Sequence, residues 1–449
     1  MITGKSIAIG LVIGLLLGAA VGVYLAPSIF GTNAQIDSLN AQVRNLQTTI
    51  TQKDVAIAAL QAKFLTGDVK IGGLLPLSGD LASYGQNSKA AAELAVIEVN
   101  AFLNKSGAGW RLKLVVEDTE TKATTALAKV TALYAQGIKI FIGPQASGEL
   151  RGIKAYCDAN KLLVISQSST ATSLSIAGDY IFRFCPDDNI QGPAIARMMY
   201  SLGIRYVIPV YRGDAWGDGL KDSTKAVFER LGGHFIEGVR YSVEPTPATF
   251  TVEAASLASK VTDAKAQYGA ANVGVLDISF EEATRFLLDA KEYAVLSTVK
   301  WFGSDGTVQL DAMAADANVA EFVAAVKFPN TIYAPTVSAK YETVRLYCNA
   351  TLGRMPDAYV YSCYDSVWVY ALCLLQLNKY DPEAIRAVMP DVAKNYFGGS
   401  GWVVLNAAGD RAQSDYDIWA IQYTGGKYQW VRAGTWIATA DSISWYVTL

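Results

Sequence analysis

One histidine, His234, serves all 449 residues, and it lies in the strand-like run HFIEGVRY, where a structural role suits it better than chemistry. Histidine-rich metal sites and Ser-His relays are therefore poorly supplied. No GxSxG, HExxH, Walker A or GxGxxG pattern occurs either. The five cysteines (Cys157, Cys185, Cys348, Cys363 and Cys373) form no CxxC pair, and their odd number leaves at least one thiol unpaired within a monomer. An exported domain has room for one bridge. A turn around Gly353 and Pro356 favours Cys348 with Cys363, and the alternative is five buried small hydrophobes. A net charge of −3 without a basic run leaves no footprint for nucleic acid. With no nucleophile–base pair and no metal-ligand spacing, the expectation is a protein that is not an enzyme, with no catalytic residue, metal or cofactor.

What is present is a folded chain. Half the residues are hydrophobic and 18% are charged, and the length allows two or three cores. Residues 7–26 form an uncharged apolar run of the ~20 residues that cross a bilayer. Lys5 precedes the run, and no Lys or Arg follows until Arg44, so the positive-inside bias puts the N-terminus in the cytoplasm. A cleaved signal peptide, cut near Gly18–Ala20, is the alternative. Either reading exports the rest of the chain.

Residues 33–65 carry heptads. Ile36, Val43, Ile50, Ile57 and Phe64 fall at position a, and Leu39, Leu46, Lys53 and Leu60 at d. β-Branched a residues with Leu at d favour a parallel two-stranded coil, with Lys53 fixing register at some cost in stability. The pattern predicts a stalk and a homo-oligomer.

After Gly67 short apolar runs alternate with helical stretches. Strands are predicted at 69–75, 111–117, 138–143, 162–166, 205–211, 233–241 and 273–279, with a further one ending in WFGSDG (301–306). Helices are predicted near 86–104, 122–136, 147–159, 217–231 and 250–268, giving a βαβα series and a parallel sheet. There are too many strands for one comfortable sheet, so two lobes are expected, with a break at FRFCPDDNIQG. The chain then becomes mainly helical (337–352, 359–377, 382–390) and ends in the aromatic runs DIWAIQY and YQWVRAG.

Ligands of open α/β sheets sit outside the carboxyl ends of strands, next to helix N-termini. That rule selects LLPLSGDLASYGQ, GPQASGE, SQSSTATS and GSDG. GPQASGE and SQSSTATS offer hydroxyls and free helix-end N–H groups, which suit a carboxylate. GSDG offers Asp305, which suits an ammonium. The two together would grip a zwitterion.

These segments resemble the leucine/isoleucine/valine-binding proteins of ABC importers. LLPLSGDLASYG, AELAVIEVN, LVVEDTETKATTALAKVTAL, GIKIFIGPQAS, LLVISQSSTATSLS, YIFRFCPDDNIQGPAIARMM, GDAWGDGL and YDSVWVYA match in order and spacing over roughly 300 residues. The resemblance implies the type I periplasmic-binding fold: α/β, two doubly wound lobes joined by a three-strand hinge, here preceded by a transmembrane helix and a coiled-coil stalk. The implied divisions are an anchor at 1–30, a stalk at 31–67, lobe 1 at 68–187 plus 328–405, and lobe 2 at 188–327 plus 406–449. Crossings are expected near Pro186, Phe328 and Leu405.

By the same resemblance Tyr84 covers the ligand, Ser147 and Thr170 bind its carboxylate, and the Ser168 carbonyl accepts from its amine. Asp305 pairs with that amine. Trp216 and Ser279 stand where the family has tyrosines. The family's early disulfide is absent from DTET (118–121) and PQAS (144–147). The resemblance thus implies an extracytoplasmic solute-binding protein that closes on an amino acid or related small polar solute and docks on an importer permease. Its expected location is the cell membrane, single-pass through 7–26, with the binding domain outside. A ligand-sensing receptor domain is one alternative. A structural surface protein reusing the fold is another, which the sequons Asn104-Lys-Ser and Asn349-Ala-Thr would suit.

Overall fold

The computed structural model describes residues 33–61 and 65–449. The predicted membrane span at 7–26 and the last seam residue, Phe64, lie outside the described residues. Among the described residues no helix is long and apolar enough to cross a membrane. The chain divides into two units at Phe64/Leu65, and each is described by itself.

In the first unit the heptad segment is a continuous helix, Asn33–Gln61. Its seam residues Leu39, Leu46 and Ile50 are 58%, 55% and 38% exposed. The hydroxyls of Thr48, Thr49 and Thr51 donate to the carbonyls of Arg44, Asn45 and Gln47, one turn back.

The second unit holds two parallel sheets. The first, from β1 (Gly67–Leu75), β2 (Trp110–Asp118), β3 (Ile140–Ile142), β4 (Leu163–Ser166) and β5 (Ile181–Arg183), has the order β2-β1-β3-β4-β5. β3 and β4 are buried on both faces, as expected of near-continuous apolar runs covered by crossover helices. The second sheet is built from β6 (Tyr206–Arg212), β7 (His234–Phe235), β8 (Val239–Tyr241), β9 (Val273–Ile278) and β10 (Lys300–Phe302). Its order is β10-β9-β6-β7, with β8 also on β6. The single strand expected at 233–241 is thus two. Pro209, in the middle of β6, has no N–H to donate, and the pairing breaks between Val207 and Val210. His234 sits exposed on this edge, stacked on Tyr206.

The C-terminal third adds β11 (Asn330–Tyr333), the small hairpin β12 (Phe397–Gly398) and β13 (Gly401–Trp402), then β14 (Tyr416–Thr424), β15 (Lys427–Ile437) and β16 (Ser442–Trp445). β11, β14, β15 and β16 form an antiparallel sheet in that order. Helices Ala339–Leu352, Tyr359–Leu377 and Pro382–Lys394 instead add their apolar residues to the core of the first sheet. Hydrophobic burial therefore sorts the chain into lobes. Val69 to Phe184 and Val344 to Val403 build the cores of lobe 1, while Cys185 to Tyr333 and Tyr416 to Trp436 supply most of the core of lobe 2. The chain passes between the lobes three times. At these passages Arg183 bridges Asp410, and β11 pairs with β14.

The expected Cys348–Cys363 bridge is not formed. All five cysteines are free and buried. Cys348 and Cys363 are core residues of lobe 1, and the Cys363 thiol donates to the Ser88 carbonyl. They serve as small apolar side chains.

Candidate site in the interlobe cleft

In each parallel sheet the first strand has its sequence successors on both sides: β1 lies between β2 and β3, and β6 between β7/β8 and β9. Such a switch point leaves a crevice outside the carboxyl ends of the strands. The two crevices face each other across one narrow cleft. Leu81 and Tyr84 follow β1, Gln145, Ala146 and Ser147 follow β3, and Ser168 follows β4. From lobe 2, Trp216 follows β6, Phe280 follows β9, and Asp305 and Gly306 follow β10. Tyr359 enters from the start of helix Tyr359–Leu377.

The lobe 1 wall is made of neutral donors. Gly143, at φ +80°, lets the GPQAS loop cross β1, since a side chain there would stand 2.0 Å from the Leu74 carbonyl. Ser147 then opens helix Ser147–Asn160. Glu149 accepts the Ala146 N–H at 3.0 Å, and the amides of the first turn beyond it have no intrahelical acceptor, a setting for an anion. Burial pushes the Glu149 carboxyl up to about 7. The Ser147 hydroxyl pairs with that of Ser169 at 2.9 Å and accepts the Ala171 N–H at 3.2 Å, while Ser168 donates to the Gln145 carbonyl at 2.9 Å.

This loop is held from behind by Arg183. Its guanidinium, fully buried, forks onto Asp410 at 2.5 and 2.6 Å and donates to the carbonyls of Ser169 and Ala171. A buried Arg–carboxylate fork tolerates no missing partner, because the survivor is left as an uncompensated charge.

The lobe 2 wall is acidic and aromatic. Asp305 accepts from Gln191 at 2.7 Å and from the Tyr359 hydroxyl at 2.5 Å. Burial pushes its carboxyl up to about 6 against the pull of those two donors. Asp188, in the first turn of helix Asp188–Ser201, lies within electrostatic range. Its pKa is raised well above the carboxylate range, first by burial and then by Asp305, against the pull of the neighbouring Thr170 hydroxyl. Burial holds both carboxyls toward their neutral forms, and a cation brought against Asp305 would favour its ionised form.

The floor is Trp216 stacked on Phe280, with centroids 4.6 Å apart. Asp214 fixes Trp216 in the first helical turn by accepting the N–H groups of Trp216 and Gly217. Gly306 lets the Asp305 loop settle here, since a side chain would meet the Ser279 carbonyl at 2.3 Å and the indole at 2.7 Å.

Of the residues selected from sequence, Tyr84, Ser147, Ser168, Trp216 and Asp305 line this cleft together. Tyr84 spans it, its hydroxyl donating to the carbonyls of Asp305 and Val308. Two others do not line it. Thr170 is buried, with its hydroxyl turned to Asp188. Ser279 turns into the core and donates to Asp277, and its neighbour Phe280 takes the place at the floor. Sequence reasoning missed Asp188, Gln191, Phe280 and Tyr359. Only Asp188 left a usable signal, as a second Asp beyond the cap Asp187 in PDDNIQG.

Comparison with known proteins agrees with this fold. The chain is 32% identical over 396 residues to an uncharacterized protein of Methanocaldococcus jannaschii, covering 84% of this chain and 91% of that one. It is 27% identical over 218 residues to the Leu/Ile/Val-binding protein BraC3 of Rhizobium johnstonii, covering 48% and 58%. The solved leucine-binding protein LivK of Thermotoga maritima superposes with a TM-score of 0.65 at 19% identity, covering 81% of this chain and 97% of that one. The likeness to leucine/isoleucine/valine-binding proteins and the type I periplasmic-binding fold expected from the sequence are borne out. Residues 87–424 match the family described as "Receptor family ligand binding region", and the chain belongs to that family of ligand-binding proteins.

Proposed function

We propose that this chain is the extracytoplasmic solute-binding component of an ABC importer, and that its lobes close on an α-amino acid. One observation carries the reading. Hydroxyls and a helix N-terminus on lobe 1 face a buried carboxylate on lobe 2, so closure brings opposite ends of a zwitterion to opposite charges. The Trp216–Phe280 stack, with Leu81 and Tyr84, offers an apolar bed for a side chain. No covalent step is involved. Hinge rotation expels water, and the closed form docks on the permease.

The N-terminal segment holds this domain outside the membrane in the same proposal, with residues 7–26 as anchor. Helix Asn33–Gln61 pairs in parallel with a second copy through Ile36, Leu39, Val43, Leu46 and Ile50. A Val43→Cys variant of the full chain tests the coil. Oxidation should give a disulfide-linked dimer, since the native cysteines are buried; a variant that stays monomeric rejects it.

The binding role is tested by a thermal-shift screen of the full chain against amino acids, amides, urea and small carboxylates. A true ligand at 100 times its Kd adds about 2.7 kcal/mol of stability. Simple carboxylates that stabilise as strongly as the amino acids would refute the zwitterion reading. Uptake of the ligand by membranes carrying the protein and its importer separates delivery from a purely sensory role.

A further inference from the structure

The two lobes touch through polar contacts that lie outside the ligand cleft. Asp80, in the loop after β1, accepts from Thr246 at 2.6 Å and from the guanidinium of Arg212 at 3.4 Å. Its own carbonyl accepts the Glu281 N–H at 3.0 Å. Glu281 in turn accepts from both the N–H and the hydroxyl of Ser83, at 2.7 and 2.6 Å. Asp80 and Ser83 belong to lobe 1, whereas Arg212, Thr246 and Glu281 belong to lobe 2. None of the five lines the cleft.

Arg212 ties these contacts to the floor of the site. It is almost fully buried and gathers Asp80, Asp214 and Glu282 around it. Burial alone would weaken its charge, but the carboxylates of Glu282 and Asp214 outweigh that and hold it protonated. Its guanidinium carbon lies 4.0 Å from the centroid of the Phe280 ring, which stacks on Trp216. Arg212 therefore sits between the lobe boundary and the Phe280–Trp216 stack at the ligand floor.

We propose that Asp80, Ser83, Arg212, Thr246 and Glu281 form an interlobe latch that stabilises the closed arrangement of the lobes. It rests on the lobe-closure mechanism of the proposed function. A ligand that binds only the closed form has an apparent Kd equal to its intrinsic Kd divided by the closed fraction. Latch residues, which touch no ligand, therefore scale every affinity by one common factor. Cleft residues change one ligand against another.

The test uses the full chain, labelled at Lys122→Cys in lobe 1 and Val252→Cys in lobe 2. Both positions are exposed, whereas the native cysteines are buried. Single-molecule energy transfer without ligand should show a closed-distance fraction, and Asp80→Ala/Glu281→Ala should move most of that fraction to a longer distance. The isosteric pair Asp80→Asn/Glu281→Gln should shift fewer molecules in the same direction, which separates latch loss from misfolding. In titrations with L-leucine and L-alanine the alanine pair should weaken both by the same factor, about tenfold. An unchanged distance distribution, a native protein with no closed fraction, or unequal losses for the two amino acids would overturn the latch. Because the distance measurement needs no ligand, it stands even if neither amino acid binds.

Discussion

The two walls of the cleft come from the same kind of sheet edge but differ in chemistry. Lobe 1 presents Ser147, Ser168 and backbone N–H groups, none of which titrates near neutrality. Lobe 2 presents Asp305, with Asp188 behind it, and burial raises both carboxyls. Helix N-termini supply positive potential without a cationic side chain, so the anion side needs no Lys or Arg. A cation side has no backbone equivalent at a strand end and must recruit carboxylates, which burial opposes. The contrast predicts that the lobe 2 wall titrates at the ligand contact itself through Asp305, whereas the lobe 1 wall titrates only behind the contact, through Glu149.

Breaking the support of the neutral wall should have the largest effect. Asp410→Ala leaves Arg183 charged and alone behind the Ser168 loop, and should cost about 3–5 kcal/mol of stability in denaturant unfolding. A loss within about 0.5 kcal/mol, ordinary for a surface change, would show that the fork does not organise this wall.

A pH titration sharpens the comparison next. An amino acid keeps its ammonium and carboxylate across pH 5–7.5, while Asp305, raised to about 6, loses its charge. Affinity for L-leucine should fall about tenfold from pH 7 to pH 5, and in Asp305→Asn it should be low and flat. The sign reverses for ligand-free stability. A folded carboxyl pKa above the unfolded value contributes stability that is complete below about 3.8 and lost as pH rises through about 6. An affinity that rises on acidification would contradict the assignment of Asp305.

Ser147→Ala should act on the neutral wall alone. Amino acids and their deaminated analogues should both lose roughly 1 kcal/mol of binding, the worth of one hydrogen bond, as read by calorimetry. Phe280→Leu should have the smallest effect. It removes a stacking contact of about 0.5–1.5 kcal/mol and shifts the preference among apolar side chains more than it weakens glycine.

The lobe 1 wall was also the more legible in sequence. β1, β3 and β4 are buried parallel strands and read as apolar runs, so the loops that follow them, with Ser147 and Ser168, could be picked by the strand-end rule. Asp305 yielded to the same rule in lobe 2, whereas Trp216 was reached only through the family resemblance. Tyr359 and Gln191 could not be picked by that rule, because they reach Asp305 from helices that the lobe crossings bring in from elsewhere in the chain. Arg183 and Asp410 are 227 positions apart and meet only where those crossings run side by side. Ser279 and Phe280 show the limit of local reading. A shift of one residue at a strand end exchanges the core-facing side chain for the cleft-facing one.

The most direct test of opposite charge on opposite lobes is a calorimetric cycle with L-leucine and 4-methylpentanoate, on native protein and on Asp305→Ala. Native protein should prefer leucine by at least about tenfold, and the variant should bind the two nearly alike because only the ammonium partner has been removed. Equal losses for both ligands would contradict that pairing and the account built on it.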